Sequence, residues 1–454
     1  MAAVAPAPER FPTEVATLII GAGAGGLVAA LSAHAAGEEV LVLERDALPA
    51  GSTALSAGLI PAAGTRFQVA AGIADGPATF AADIQRKAEG ENDPALVDLL
   101  ASGAAEAIEW LADAHALPFS LVDDFDYPGH ARRRMHGLPS RSGQELIDRL
   151  RAACEAASID IVCEARAETL YTDGPRIAGV GLQRPDGVEE RIGCGRLILA
   201  CNGFGGNRAR VARHMPEIAQ ALWFGHDGNR GEALDWGEAL GAATHHLGAY
   251  QGHGNVAHPH GILITWAVTT EGGVQVNRAG KRFWDESRGY SEAARAVLAQ
   301  PGGAAFAIFD ARIAGIARQF ADFQRAEEAG AIKSAASVEA LAKALGLPAA
   351  TLAETISGLP AGGIDSFGRR FPETPLAPPF CGVRVTGALF HTQGGLLVDG
   401  GARVRRPDGS SFPNLYAVGG AACGVSGAGD AGYLSGNGLL SAVVLGRIAG
   451  RAGA

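Results

Sequence analysis

The chain has almost no concentrated positive charge and no clustered cysteine. Its 454 residues carry a formal net charge of -10, and the 38 lysines and arginines are scattered apart from the short "ARRRMHG" at 131–137. No basic stripe tracks a phosphate backbone, which excludes nucleic acid as a partner. The six cysteines, Cys154, Cys163, Cys194, Cys201, Cys381 and Cys423, lie far apart, with no C-x-x-C pair for zinc or redox work and no C-x-x-C-H for haem attachment. They read as small buried hydrophobes. The apolar runs fall well short of a bilayer span, and the opening "MAAVAPAPERFPTE" has no apolar h-region. The expectation is a soluble, cytoplasmic protein.

Against these absences stand 47% hydrophobic and 19% charged residues, the balance of a well-packed globular protein. The length exceeds one ordinary core, so two domains are expected, one inserted in the other. "EVATLIIGAGAGGLVAALSAHAAGEEVLVLERD" (14–46) runs from an apolar stretch through a glycine turn and an amphipathic helix to a second strand, a βαβ unit. Helical periodicity over 78–115 breaks at 92–94, and 143–157 is another helix. A strand meander with turns at Asp173-Gly174 and Asp186-Gly187 returns to a buried strand at 197–200. From about 253 the texture changes to a His-rich stretch, a strand "GGVQVN" and helices over 291–300, 310–328 and 337–357. Proline-dense "FPETPLAPPF" (371–380) crosses back. The boundaries read as 1–252, an insert at 253–390, and a return at 391–454.

Gly21-x-Gly23-x-x-Gly26 follows a strand and opens a helix. The first glycine permits the tight turn, the second lets backbone approach a pyrophosphate, and the third lets helix and sheet pack closely, while the helix N-terminus offers N–H groups and positive dipole. Glu44 ends the second strand 18 residues after Gly26, where a carboxylate accepts from ribose hydroxyls. This motif alone leaves FAD and NAD open. The small-residue loop "ERDALPAGSTALSAGLIPAAG" (44–64) decides for FAD, since it lets backbone lie against a flat ring.

With "RLILACNGFGGN" (196–207), "HTQGGLLVD" (391–399) and "NLYAVGG" (414–420), the chain resembles the FAD-dependent fumarate reductase, succinate dehydrogenase and 3-ketosteroid dehydrogenase superfamily from about residue 14 to 450. The resemblance implies an α/β fold: a Rossmann-like FAD-binding domain of the GR2 type with an inserted α+β capping and catalytic domain. It implies FAD held by Gly21, Gly23, Ala24, Gly25, Gly26, Glu44 and Arg45, by Ser52, Thr53, Ser56, Ala57 and Gly58, by Ala200, Gly203 and Gly419, and by Gly436, Asn437, Gly438, Leu439 and Leu440. Flavin-linking members carry a histidine where this chain has Ser52 and Thr53, so the expectation is non-covalent FAD. Gly420 stands where an acidic residue often follows "AG".

On the substrate side, fumarate-reducing members clamp two carboxylates with histidines and arginines, because a guanidinium matches a carboxylate in charge and geometry. The histidines have counterparts in His258 of "AHPHG" and His391 of "FHTQGG". The arginines do not: aligning "GKRFWDESRGYSEA" (280–293) puts Tyr290 at the proton-donating position, and "GYLSGNGLLSAVVLGRIAG" (432–450) puts Tyr433 at the second carboxylate-binding one. Arg288 lies two residues from Tyr290 and could take over one role. Paired tyrosines resemble instead the ketosteroid dehydrogenase branch, and "GYLSG" its 4-dehydrogenases, where a tyrosine moves the proton alpha to a ketone while the beta hydrogen leaves as hydride to the flavin. The expected catalytic set is Tyr433, Tyr290, Ser435, His258 and His391, with the two tyrosines sharing proton transfer and carbonyl polarisation in unassigned order. The expected substrate is a small-molecule ketone or enone. Reduction of an activated double bond and a flavin-binding module without turnover remain rivals. Electrons would leave to oxygen, a quinone or a separate carrier. His245, His246, Tyr127 and His136 belong to no strong motif, and no metal site is expected.

Overall fold

The computed structural model describes residues 2–453. The chain divides into two compact α/β units: residues up to Arg210, Gly225–Tyr250 and the stretch from His391 onward form the first, Val211–Phe224 and Gln251–Phe390 the second. The second unit thus takes in 211–224, a segment expected to belong to the first part of the chain.

The first unit is organised by a parallel sheet in the order Asp160–Val162, Val40–Leu43, Thr13–Ile20, Glu189–Leu199, Ser411–Ala417. Leu18, Ile19, Leu197 and Ile198 are wholly buried, and the C-terminal ends of these strands, 18–20 and 197–199, read as apolar runs because both sheet faces are covered there. Glu189–Leu199 changes neighbours along its length, pairing antiparallel with Arg176–Gln183 at its start and parallel with Ser411–Ala417 at its end. The helix Ala24–Ala35 is buried from Ala24 to Ala33 and packs against the C-terminal helix Asn437–Arg451. The expected break at 92–94 falls between the helices Pro77–Lys87 and Pro94–His115, where the Asp93 carboxylate caps the second by accepting from the Ala95 N–H at 2.9 Å.

The second unit is built on a seven-stranded sheet whose main path runs Ile262–Leu263, Tyr250–Ala257, Phe380–Thr392, Ala304–Asp310, Val274–Val276. Along Ala304–Asp310 the side chains sort by parity. Ala305, Ala307 and Phe309 join a core with Ile313, Phe323 and Val383, and Phe306 and Ile308 join another with Leu341, Leu352 and Phe380. Period two thus feeds two cores from one strand. The helices expected over 310–328 and 337–357 are each two: Ala311–Ala317 with Ala321–Glu328, and Val338–Leu345 with Ala349–Ser357. In the latter, Gly346 ends the first helix at φ 70° and Pro348 precedes the next. Among the described residues no helix is long and apolar enough to cross a membrane.

Candidate active site

In the first unit the glycine turn is shaped by close approach. Gly21 has φ 105°, and a Cβ on Gly26 would lie 1.9 Å from the Gly21 carbonyl oxygen, so neither tolerates a side chain. The carboxylate of Glu44 accepts from the Ala22 N–H at 2.9 Å and the Asp46 N–H at 3.0 Å, which fixes it at the strand end. Thr53 Oγ1 accepts from the Ala24 N–H at 2.9 Å and so ties the small-residue loop to the helix N-terminus. Ser52 Oγ accepts from the side-chain amides of Asn202 and Asn229, each at 2.9 Å. Ser56 Oγ donates to the Thr53 carbonyl and accepts from the Gly58 N–H. Arg45 is engaged with Glu232 at 3.2 Å, Ala57 is exposed, and the Leu440 side chain lies in the core.

Gly420 has a physical explanation. A Cβ there would sit 2.0 Å from Asn202 Oδ1, which accepts from the Gly203 N–H at 2.8 Å. The asparagine occupies the space an acidic side chain would need.

The C-terminal helix begins at Asn437 with Gly436 as its N-cap at φ 89°. Tyr433 is buried just before it, and the backbone N–H groups of Gly436 and Gly438 favour negative charge on its hydroxyl oxygen. Burial pushes that hydroxyl well above the ordinary tyrosine range, and the two N–H groups work against it. The Tyr433 ring meets His391 edge-on, centroids 5.4 Å apart. A Cβ on Gly438 would lie 3.1 Å from His391 Nε2, so only glycine lets the helix start this close to the imidazole. Burial brings His391 down to about 4, the Thr392 carbonyl acting in the opposite sense, and the ring is neutral at pH 7. Gln393 Nε2 donates to His391 Nδ1 at 2.8 Å, Ser426 Oγ donates to Gln393 Oε1 at 2.7 Å, and Asn437 Nδ2 donates to Ser426 Oγ at 3.1 Å. Asn437 Oδ1 is buried without a hydrogen-bond partner. A buried acceptor or donor left open marks a site completed by something else. Glycine turn, fixed carboxylate, small-residue loop and open amide together suit a dinucleotide with a flat polar ring.

In the second unit Tyr290 opens the helix Tyr290–Leu298 and is half-buried. The histidine that packs on it is His253, ring centroids 5.1 Å apart and nearly parallel. His253 also touches Trp266 and Phe390. Its Nδ1 accepts from the Asn255 N–H at 3.1 Å, and burial holds it down to about 3. His258, expected in this role, is exposed past the end of the same strand. Arg288 is exposed as well. His253 carries no motif of its own; the signal that could have found it is its place between Gly252 and Gly254 inside a strand, since glycines there mark close backbone approach.

Residues 16–439 match the FAD binding domain family. The chain belongs to this FAD-binding family. It is 32% identical to a probable fumarate reductase of Shewanella frigidimarina over 95% of this chain and 74% of that one. Its fold superposes on the open conformation of a flavocytochrome c3 fumarate reductase with a TM-score of 0.82, at 29% identity over 97% of this chain and 78% of the other. It also superposes on the 3-ketosteroid-delta4-(5alpha)-dehydrogenase of Rhodococcus jostii RHA1 with a TM-score of 0.79, at 24% identity and 99% coverage of both chains. The FAD-binding family member is therefore an FAD-dependent oxidoreductase acting on carbon–carbon bonds.

Proposed function

We propose that this flavoenzyme desaturates the bond alpha,beta to a ketone, in a cyclic or 3-oxosteroid-like substrate. One observation carries the reading: the Tyr433 side chain, at the position where a dicarboxylate reader needs arginine, is buried at the start of the C-terminal helix with its ring edge-on to a neutral histidine. Such a group suits a neutral carbonyl oxygen. A carboxylate brought there would lose its hydration without gaining a cation, a costly exchange.

Burial keeps the proton on Tyr433, and the nearby N–H groups of Gly436 and Gly438 strengthen its O–H as a donor. In this reading Tyr433 polarises the carbonyl and stabilises the enolate charge that develops as the alpha proton leaves, a contribution worth about 3–4 kcal/mol in comparable sites. Tyr290 takes part in moving the proton; its role rests on the replacement of arginine in its motif. His253, neutral and stacked on the Tyr290 ring, fixes that ring's orientation. FAD, held non-covalently by the glycine turn, Glu44 and the loop around Ser52 and Thr53, supplies when bound a two-electron acceptor for the beta hydrogen.

Reduction of an activated double bond in an acid is the second reading, favoured by the names of the Shewanella frigidimarina relative and the flavocytochrome. Anaerobic, photoreduced enzyme titrated with fumarate and with a cyclic enone separates them. Reoxidation by the enone is expected; rapid reoxidation by fumarate alone sinks the ketone reading.

A further inference from the structure

The one basic cluster of the sequence, 131–137, is only half a surface feature: Arg132 and Arg133 are exposed, Arg134 is not. Arg134 is buried and shared by two buried carboxylates. It contacts Asp75 at 2.8 and 3.1 Å and Asp83 at 2.5 Å. Its guanidinium also lies 4.8 Å over the Phe80 ring. One more N–H, from Nη1, reaches His130 Nδ1 at 3.2 Å. A guanidinium can only donate, so Nδ1 of His130 must accept. The ring's proton is then on Nε2, which donates to the Ser435 carbonyl oxygen at 2.9 Å. Donor on one side and carbonyl on the other leave this imidazole a single tautomer and a single orientation.

Ser435 stands between Tyr433 and Gly436. We propose that His130 is a positioning residue for the Tyr433 hydroxyl: it anchors the Ser435 carbonyl, and with it the turn that carries Tyr433 into the C-terminal helix. The anchor is rigid from below. The Asp83 carboxylate accepts from the Ala131 N–H at 2.8 Å, Arg86 donates to the Gly129 carbonyl at 3.0 Å, and a Cβ on Gly129 would lie 2.7 Å from Leu434 Cδ1. Segment 129–134 and turn 433–436 therefore fit against each other without slack. A hydroxyl that must meet a developing oxyanion gains from such support, since a small misplacement costs orientation in the transition state.

The test uses holoenzyme with 3-fluorotyrosine in place of tyrosine. The 19F signal of Tyr433 is the one missing from Tyr433→Phe. His130→Leu keeps bulk and removes the donor; it is expected to move the Tyr433 signal and to lower kcat roughly tenfold with KM little changed. His130→Gln, which keeps an N–H donor, is expected to restore both. Arg149→Ala, which removes an exposed partner of Glu145 outside the cluster, is expected to leave the signal where it is. An unmoved signal in His130→Leu, or an equal shift in His130→Gln, overturns the proposal. Should His130→Leu fail to retain FAD, 15N shifts of wild-type His130 decide: a protonated Nδ1 overturns it. The consequence for kcat rests on the ketone reading, but the signal is read without substrate. A moved signal with unchanged turnover would refute Tyr433 as the carbonyl donor and leave the anchoring intact.

Discussion

The two tyrosines are presented by mirror-image devices. In the first unit a single buried cation, Arg134, lies between Asp75 and Asp83, and through His130 it supports the turn of Tyr433. In the second a buried anion, Glu286, lies between Arg282, at 3.0 Å, and Arg369, at 3.0 Å, four residues before Tyr290, and Arg282 also pairs with Asp365. Each device fixes a loop by satisfying charges that could not stay buried alone. What they hold differs. Tyr433 is buried and pinned where its turn enters the C-terminal helix, whereas Tyr290 is half-buried with its ring stacked on His253. A pinned tyrosine suits fixed polarisation of a carbonyl, and a stacked ring at a helix start suits a group that exchanges protons.

The largest effects should come from removing the centre of each device. Arg134→Met and Glu286→Gln are each expected to destabilise the holoprotein by about 3–5 kcal/mol in chemical denaturation. Their pH responses should diverge. Burial alone would raise Asp83, but the Ala131 N–H, Arg134 and Arg86 outweigh it and hold its carboxyl below the usual range. Its stabilisation is present above the unfolded pKa of about 4 and is lost as pH falls through the lower folded value. In Arg134→Met that carboxyl can take up a proton, so the deficit against wild type should shrink toward pH 4. Glu286→Gln leaves Arg369 without its carboxylate and Arg282 with Asp365 alone, and since neither guanidinium can discharge, its deficit should persist. Equal pH responses would break the mirror-image comparison.

Next in size is catalysis. Tyr433→Phe removes the hydroxyl and should lower the rate of flavin reduction by a cyclic ketone about 10²–10³-fold with FAD binding retained. Tyr290→Phe keeps the stack on His253 and should cost about 10²-fold through proton transfer. Only Tyr290→Phe should alter the solvent isotope effect on that rate. The same change in both variants would argue against separate roles.

Much of the first unit could be read from sequence because its signals are local: the glycine spacing, Glu44 at the strand end, and a tyrosine among small residues at a helix start. The rest depended on distant partners. Arg134 reads like its exposed neighbours because Asp75 and Asp83 lie more than fifty residues upstream. Segment 211–224 joins the second unit through a short pairing, Leu222–Trp223 on Ala388–Leu389, too brief to leave a pattern. His253 lies inside a strand and His258 just past its end, five residues on, and burial separates them. The acidic residue missing at Gly420 is explained by the Asn202 side chain, which sits there only because residue 202 adopts a left-handed backbone.

Acid should sharpen the comparison further. Burial brings His130, His136 and His391 of the first unit down to about 4, and His253 of the second down to about 3. A histidine whose folded pKa lies below its unfolded 6.5 keeps its full contribution above that pH. It loses it as pH falls toward the folded value, by up to about 1.4 kcal/mol per pH unit. With five such groups against two, His115 and His246 adding to the first unit and His258 to the second, hydrogen exchange in the first unit should accelerate more between pH 7 and pH 5 than in the second. Equal acceleration would mean that charges other than these histidines govern the response.

The smallest expected effect is at His258. Its imidazole is exposed, and burial, with Arg384 and His260 nearby, lowers its pKa only modestly. His258→Ala should change stability by no more than about 0.5 kcal/mol and leave turnover with a ketone at the wild-type level. His253→Ala, five residues earlier, removes the ring beneath Tyr290 and should slow the reaction while Tyr433→Phe remains the slower enzyme. If His258→Ala instead matched His253→Ala, the exposed histidine would have to meet the substrate, and the separation of a pinned tyrosine from a stacked one would no longer account for the chemistry.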